Sequence, residues 1–300
     1  MKKTKLVIFT FGILLIAVHA FSQQQDAKYF GETPPGTTPK VFARGKVSSV
    51  NQFEFGAVFS NDNREFYYGV EIDGKAETRM MKFENGKWSQ PTKILSHEVY
   101  SYNDPFLTPD NSRLFFISNR SMAGTGPKKD YDIWYIQREA AGKWSEPKNA
   151  GNNINSGKNE YYISFTKTRK MYFSSNKLDD GENNNYDIYS SEWRDNNFLP
   201  PVKLGPAINT SAYEADVFVA PDESYLIFAA NRPGGLGSGD LYVSFRNQDG
   251  TWTPSKSLGD GINTETDDFC PYVSVDGKYL FYASRGDIYW VSMDVIMNTR

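Results

Sequence analysis

The stretch that decides the fold is 214-EADVFVAPDESYLIFAANRPGGLGSGDLYVSFRNQDGTWTPSKSLGDGINT-264. Four short runs alternate with turn chemistry. Ala215 to Val219 is apolar and β-prone, and Pro221-Asp222-Glu223-Ser224 is a turn with proline where its fixed φ helps. Tyr225 to Ala229 is a second strand, rich in aromatic and aliphatic residues. A glycine-rich loop from Asn231 to Gly239 leads to a third strand at Asp240 to Phe245, and Gln248-Asp249-Gly250 turns the chain into a fourth from Thr251 to Leu258. Four antiparallel strands per unit make one propeller blade.

Working outward, the unit recurs. Its turn anchor stands at Asp62, Asp110, Asp222 and Asp276, with Thr168 holding the place in one degraded copy. The third strand recurs as YDIWY at 131–135, YDIYS at 186–190, DLYVS at 240–244 and DIYWV at 287–291. Trp88, Trp144, Phe198 and Trp252 anchor the fourth strand, and Ile154, Ile208 and Ile262, each followed by Asn, mark the connection to the next copy. The count is five blades, in a single all-β propeller of four-stranded blades. The last copy lacks its fourth strand, and Thr37-Thr38-Pro39 followed by Val47-Ser48-Ser49 matches that missing piece at the same spacing. The N-terminal strand is therefore expected to complete the last blade and remove the exposed edge.

Residues 1–22 read as a secretory signal. Lys2, Lys3 and Lys5 precede an apolar run from Leu6 to Val18, too short to span a bilayer comfortably, with small residues after it. Cleavage after Ala20 or Ser22 fits, and a retained anchor is the alternative. Residues 23–36 form a polar lead-in and 37–300 the propeller. The expected location is periplasmic or extracellular, with no membrane span after the signal is removed. The signal holds three of the 33 basic residues and none of the 36 acidic ones, so the mature chain carries about −6. With no basic cluster, a nucleic-acid partner is excluded.

These repeats resemble the TolB-like, WD-type bacterial propeller family with PD40-type repeats. The residues that carry the resemblance are LTPDNSRLFFISNR at 107–120 and VAPDESYLIFAANRPGG at 219–235. It covers about residues 37–298. It implies the fold and, more loosely, a periplasmic scaffold, protein-binding module or ligand sensor. Family members commonly have six blades, which keeps six as the alternative to the five counted. Related propellers also occur fused to an α/β-hydrolase domain, which is absent from these 300 residues.

Strand order places the start of each first strand and the end of each second strand at one channel mouth. The first set is Glu54, Tyr102, Glu160, Glu214 and Asp268; the second includes Arg120, Lys177, Arg232 and Arg285. Two acids about 8 Å apart repel by roughly 2 kcal/mol at an effective dielectric of 20, so a ring of four needs counter-charge. One reading pairs acid with base blade by blade as scaffold. A second lets a ligand use the ring, with Tyr161 and Tyr213 beside it. A third is glycosidase-type chemistry on paired carboxylates. Asp132, Asp187, Asp240 and Asp287 at the third-strand starts are expected to bond backbone in tight turns, and the repeated tryptophans to pack the blades. The loop 178–185 is rich in oxygen ligands, which raises calcium as an option against a solvated loop. Cys270 is expected to be a buried thiol.

His97 is the only histidine outside the leader, which excludes a multi-histidine zinc site, and no G-x-S-x-G or complete G-x-x-x-x-G-K-[ST] motif occurs. No catalytic residue, metal or cofactor is assigned. The sequence favours an exported, non-catalytic propeller that binds a protein, peptide or glycan at its loop-rich face. The alternative is a carboxylate-dependent carbohydrate-active enzyme with its site at the channel mouth.

Overall fold

A computed structural model describes residues 28–177 and 185–299. The signal segment and most of the oxygen-rich loop lie outside the described residues. Five blades close into a propeller. Blade I runs Phe53–Phe59, Glu65–Ile72, Lys75–Glu84 and Thr92–Leu95. Blade II runs Tyr102–Leu107, Arg113–Ser118, Asp132–Gln137 and Lys148–Asn149. Blade III runs Glu160–Phe165, Met171–Ser175, Asp187–Ser191 and Val202–Lys203, and blade IV Tyr213–Val219, Tyr225–Asn231, Asp240–Phe245 and Lys256–Ser257. Blade V is Asp268–Val273, Tyr279–Ser284 and Asp287–Ser292, with the N-terminal Lys40–Val41 as its outer strand. The five-blade count and the closure are both as the repeat predicted.

Closure repeats, bond for bond, what the other blades do. Lys40 pairs with Trp290 and Val41 with Tyr289. The Phe42 N–H donates to the Ile288 carbonyl, as those of Ala150, Leu204 and Leu258 do to Ile133, Ile188 and Leu241. Blade V is thus finished by a segment far away in sequence, and no ladder edge is left open at the seam. Phe42 is fully buried against Phe59, Phe281 and Trp290. The lead-in also contributes to the core. Tyr29 and Phe30 are buried, Phe30 lies flat on Trp88 at 4.0 Å, and the Tyr29 hydroxyl donates to Asp276.

Between blades, the connection is pinned by its asparagine. Asn155 Oδ1 accepts from the Ile133 N–H while its Nδ2 donates back to the Ile133 carbonyl. Asn209 grips Ile188 and Asn263 grips Leu241 in the same way. The side-chain amide stands in for one more ladder residue, which is why Ile-Asn recurs at that spacing.

If the seam holds the ring shut, Phe42→Ala should cost about 3–5 kcal/mol in urea melts, as for other fully buried rings. Deleting residues 28–50 should cause aggregation through the bared Asp287–Ser292 edge. A truncated chain that stays monomeric and melts like the parent would contradict the seam's role.

Candidate functional site

The innermost strands carry two rings of side chains two residues apart. The first is the predicted acidic ring. Glu54, Glu160, Glu214 and Asp268 are all fully buried, and each turns back onto the connection that delivers its own blade. Glu160 accepts from the N–H and hydroxyl of Ser156 and from the Ser175 hydroxyl. Glu214 takes the N–H and hydroxyl of Thr210, Asp268 those of Thr264, and Glu54 those of Ser49. The backbone N–H groups of these four acids donate to Tyr131, Tyr186, Gly239 and Gly286 of the preceding blades. The acids therefore join one blade to the next.

The expected blade-by-blade ion pairing occurs, among the described residues, in blade IV alone. There Arg232 Nε donates to Glu214 at 2.9 Å, and the guanidinium also reaches Ser255 and the Ile208 carbonyl. Arg120 lies over Trp134 and Lys177 over Tyr189. Among the described residues Arg285 makes no ion pair, and it holds a left-handed backbone (φ 51°). In blades I, III and V the acids rest on serine and threonine donors instead, and in blade I Glu54 Oε2 is left without a hydrogen bond. Burial lifts the Glu54 and Glu160 carboxyls to about 7. Tyr102, which holds the acid's place in blade II, is buried against Phe116.

The third-strand aspartates also depart from expectation. Asp240 alone bonds turn backbone, accepting from Leu236 and Gly237. Asp132 meets Lys129 and Asn149, and Asp187 meets Lys203. The tryptophans pack as expected, Trp144 beneath Arg138 and Trp252 beneath Arg246.

The second ring was not read from the sequence. Every innermost strand slips register just after its acid position, at a β-bulge. The bulged residues are Gly56, Asp104, Tyr162, Asp216 and Cys270, all with φ between 44° and 63°. Left-handed backbone costs about 1–2 kcal/mol for a side-chain-bearing residue, and four of the five pay it. A bulge re-aims side chains, and here it brings those of different blades together across the axis. Cys270 Sγ lies 3.3 Å from Asp104 Oδ1 and 3.8 Å from Asp216 Oδ2, and the Cys270 N–H donates to Asp216. The Tyr162 hydroxyl donates to the Pro271 carbonyl on the far side of the axis. Gly56 is required in blade I: a Cβ there would sit 3.3 Å from Asp104 Cα and Pro105 Cδ.

No lysine or arginine pairs with Asp104 or Asp216 among the described residues. Burial, then mutual repulsion, holds the Asp104 carboxyl well above the ordinary range; burial also raises Asp216, helped by nearby Asp267. Burial likewise keeps the Cys270 thiol protonated, as expected of an inert cysteine.

Around this centre the mouth is aromatic. Tyr131, Tyr161, Tyr186 and Tyr213 form a chain of rings at 5.1, 5.5 and 5.3 Å. Phe53, Phe55 and Phe269 cluster opposite, with Phe53 and Tyr213 the most open, at 39% and 38% exposure. Asn103, beside Asp104, leaves its buried Oδ1 without a hydrogen bond. No group of three or more His, Cys, Asp or Glu is arranged to hold a metal among the described residues.

No family model matches the chain, and no curated protein sequence matches it. Its similarity is to solved structures and lies in the fold. TolB from Acinetobacter baumannii superposes with a TM-score of 0.51 at 14% identity, over 81% of this chain. This chain spans only 55% of that protein's length. A putative TolB from Agrobacterium tumefaciens gives 0.52 at 14% identity, covering 83% of this chain and 80% of that one. A chain of a nidogen/laminin complex gives 0.50 at 13% identity, covering 81% and 76%. The chain is a five-bladed β-propeller whose fold is similar to that of these TolB structures. These identities speak to the fold alone.

Two measurements separate the rings. Glu214→Gln removes the charge that Arg232 faces in a buried pair, and should cost about 3 kcal/mol. Glu160→Gln leaves no cation unpaired and should cost less, about 1–2 kcal/mol for the hydrogen bonds it disturbs. Equal losses in urea melts would show that ion pairing is not what distinguishes blade IV.

The second test is pH. Folded Asp104 and Asp216 hold their protons to higher pH than the unfolded chain does, so the native state binds more protons above about pH 4. Stability from this pair is full below that point and is lost as pH rises toward and past neutrality. The groups facing the pair are Cys270, Tyr161, Tyr162, Tyr213 and Asp267. Thermal midpoints should fall from pH 5 to pH 8, and Asp104→Asn should flatten part of that slope. An unchanged slope in the variant would remove the pair as its source.

Proposed function

We propose that this propeller is a binding protein whose ligand enters the aromatic mouth and presents a hydrogen-bond donor to Asp104 and Asp216. The observation that carries the reading is the convergence of these two carboxyls, with no basic partner among the described residues, on strained bulges of separate blades. An acidic floor without counter-charge suits an ammonium or a cluster of hydroxyls, and flat rings at the entrance suit a peptide side chain or the face of a sugar. A peptide or glycan is therefore the ligand class. On this reading the acids Glu54, Glu160, Glu214 and Asp268, with Arg120, Lys177, Arg232 and Arg285, support the site from behind; Tyr161 and Tyr213 belong to its rim.

A second reading has one observation in its favour. Two carboxyls that share a channel and are held above their usual range could divide the roles of acid and base, as a carboxylate-dependent carbohydrate-active enzyme requires. The PD40 assignment of the repeats is likewise proposed, on the two motif stretches and the five-fold recurrence. So is export through residues 1–22. Among the described residues no helix is long and apolar enough to cross a membrane.

The test is a glycan and peptide array probed with the mature chain, followed by titration of the best hits. Binding should weaken at least about tenfold in Asp216→Asn and in Tyr213→Ala, while Glu160→Gln keeps it. Hits indifferent to Asp216 and Tyr213 would sink the reading. Turnover of a hit, lost in Asp104→Asn, would favour the enzyme. For export, mass spectrometry of the secreted chain should find a mature N-terminus within residues 21–23; a full-length chain held in a membrane would contradict it.

A further inference from the structure

The other end of the axis carries a different cavity. There the far ends of the innermost strands and the hairpin turns enclose an apolar pocket of about 330 Å³. Phe59, Phe106, Phe165, Phe218 and Tyr272 supply one ring from each blade. The Tyr272 hydroxyl, the polar atom among those rings, accepts the Phe59 N–H, so the wall presents carbon. At the rim the charges are mostly matched. Arg169 pairs with Asp110, Lys170 with Glu223 and Lys28 with Asp276. Lys167, an exposed pocket-lining residue, makes no ion pair among the described residues. Asp222 senses its charge without contact, its own carboxylate being held by Ser224.

We infer that this pocket binds an aliphatic monocarboxylate of medium length, its chain among the five rings and its head on Lys167. The pocket is many waters in volume and open at its rim, which gives room for a chain of medium length. Five blades give the walls, which no single hairpin turn could form. One unpaired cation beside a carbon-lined pocket favours a single anionic end over a neutral or dianionic one. This inference stands apart from the proposed site at the acidic mouth, since the two share no residue.

The test is calorimetric titration of the mature chain with hexanoate, octanoate, decanoate, dodecanoate and decanol, each below its micellar concentration. Affinity should rise about fourfold per added methylene while the chain stays among the rings and level off within this series. Lys167→Met should weaken decanoate by about two- to fivefold and leave decanol unchanged. Val275→Trp, at a rim residue 45% exposed, should block both without disturbing the core. Asp216→Asn should change neither. Circular dichroism and urea midpoints equal to the parent's show that the variants are folded. The inference is overturned if no carboxylate binds at millimolar concentration. Affinity that climbs with chain length without levelling, or survives Val275→Trp intact, overturns it equally. Loss in Asp216→Asn would move the ligand to the other mouth.

Discussion

Everything in this propeller depends on how one blade is fastened to the next. At the end of each blade the chain must leave the outer strand, cross the face and begin a new innermost strand at the axis. Hairpins cannot dictate that crossing. A buried carboxylate does it in four of the five blades, by taking the N–H and hydroxyl of a serine or threonine four or five residues earlier in the connection. The asparagine just before that serine or threonine, in three blades, holds the connection to the third strand. Seam and repeat use the same device: Ser49 and Glu54 do at the closure what Thr264 and Asp268 do inside the ring. At the closure the Glu54 N–H also donates to the Gly286 carbonyl, which ties the N-terminal clamp to the C-terminal blade.

This fastening explains the position of the site. With the acid fixed at the connection and the strand fixed in its sheet, the residues between must absorb the mismatch, and they do so as a bulge. The bulge lies at the same height in every blade and turns four side chains inward, with Gly56 in the fifth position. The blades thus meet at the axis through Asp104, Asp216, Cys270 and Tyr162, a small polar centre inside walls that are otherwise aromatic. The tilt of the carboxyl pair toward the protonated form follows from this confinement, first through burial and then through neighbouring carboxylates.

The channel has unlike ends for a related reason. The mouth beside the connections collects the polar residues that hold the blades together. The opposite mouth is formed by tight turns, whose polar side chains are used within the turn. Ser60 and Asp62, Thr108 and Asp110, and Ser274 and Asp276 bond one another there. The strand ends beneath those turns are free to be apolar, and their rings leave a pocket instead of filling it.

The sequence by itself determined the blade, the count and the closure. Those follow from local chemistry repeated in order: the Pro-Asp turn, the Asp-Ile-Tyr strand, the Ile-Asn connection, and the match of Thr37–Ser49 to the end missing after Trp290. It also placed Glu54, Glu160, Glu214 and Asp268 in equivalent positions. It did not determine their partners, because a serine or threonine a few residues earlier is too common to stand out beside an arginine near the same mouth. The axial centre was decided by tertiary structure alone. The five bulge positions, Gly56, Asp104, Tyr162, Asp216 and Cys270, hold four different residue types, and the slip of register that turns them inward leaves no periodic mark. A bulge is a response to strain between fixed points, and those points are fixed only once the ring has closed.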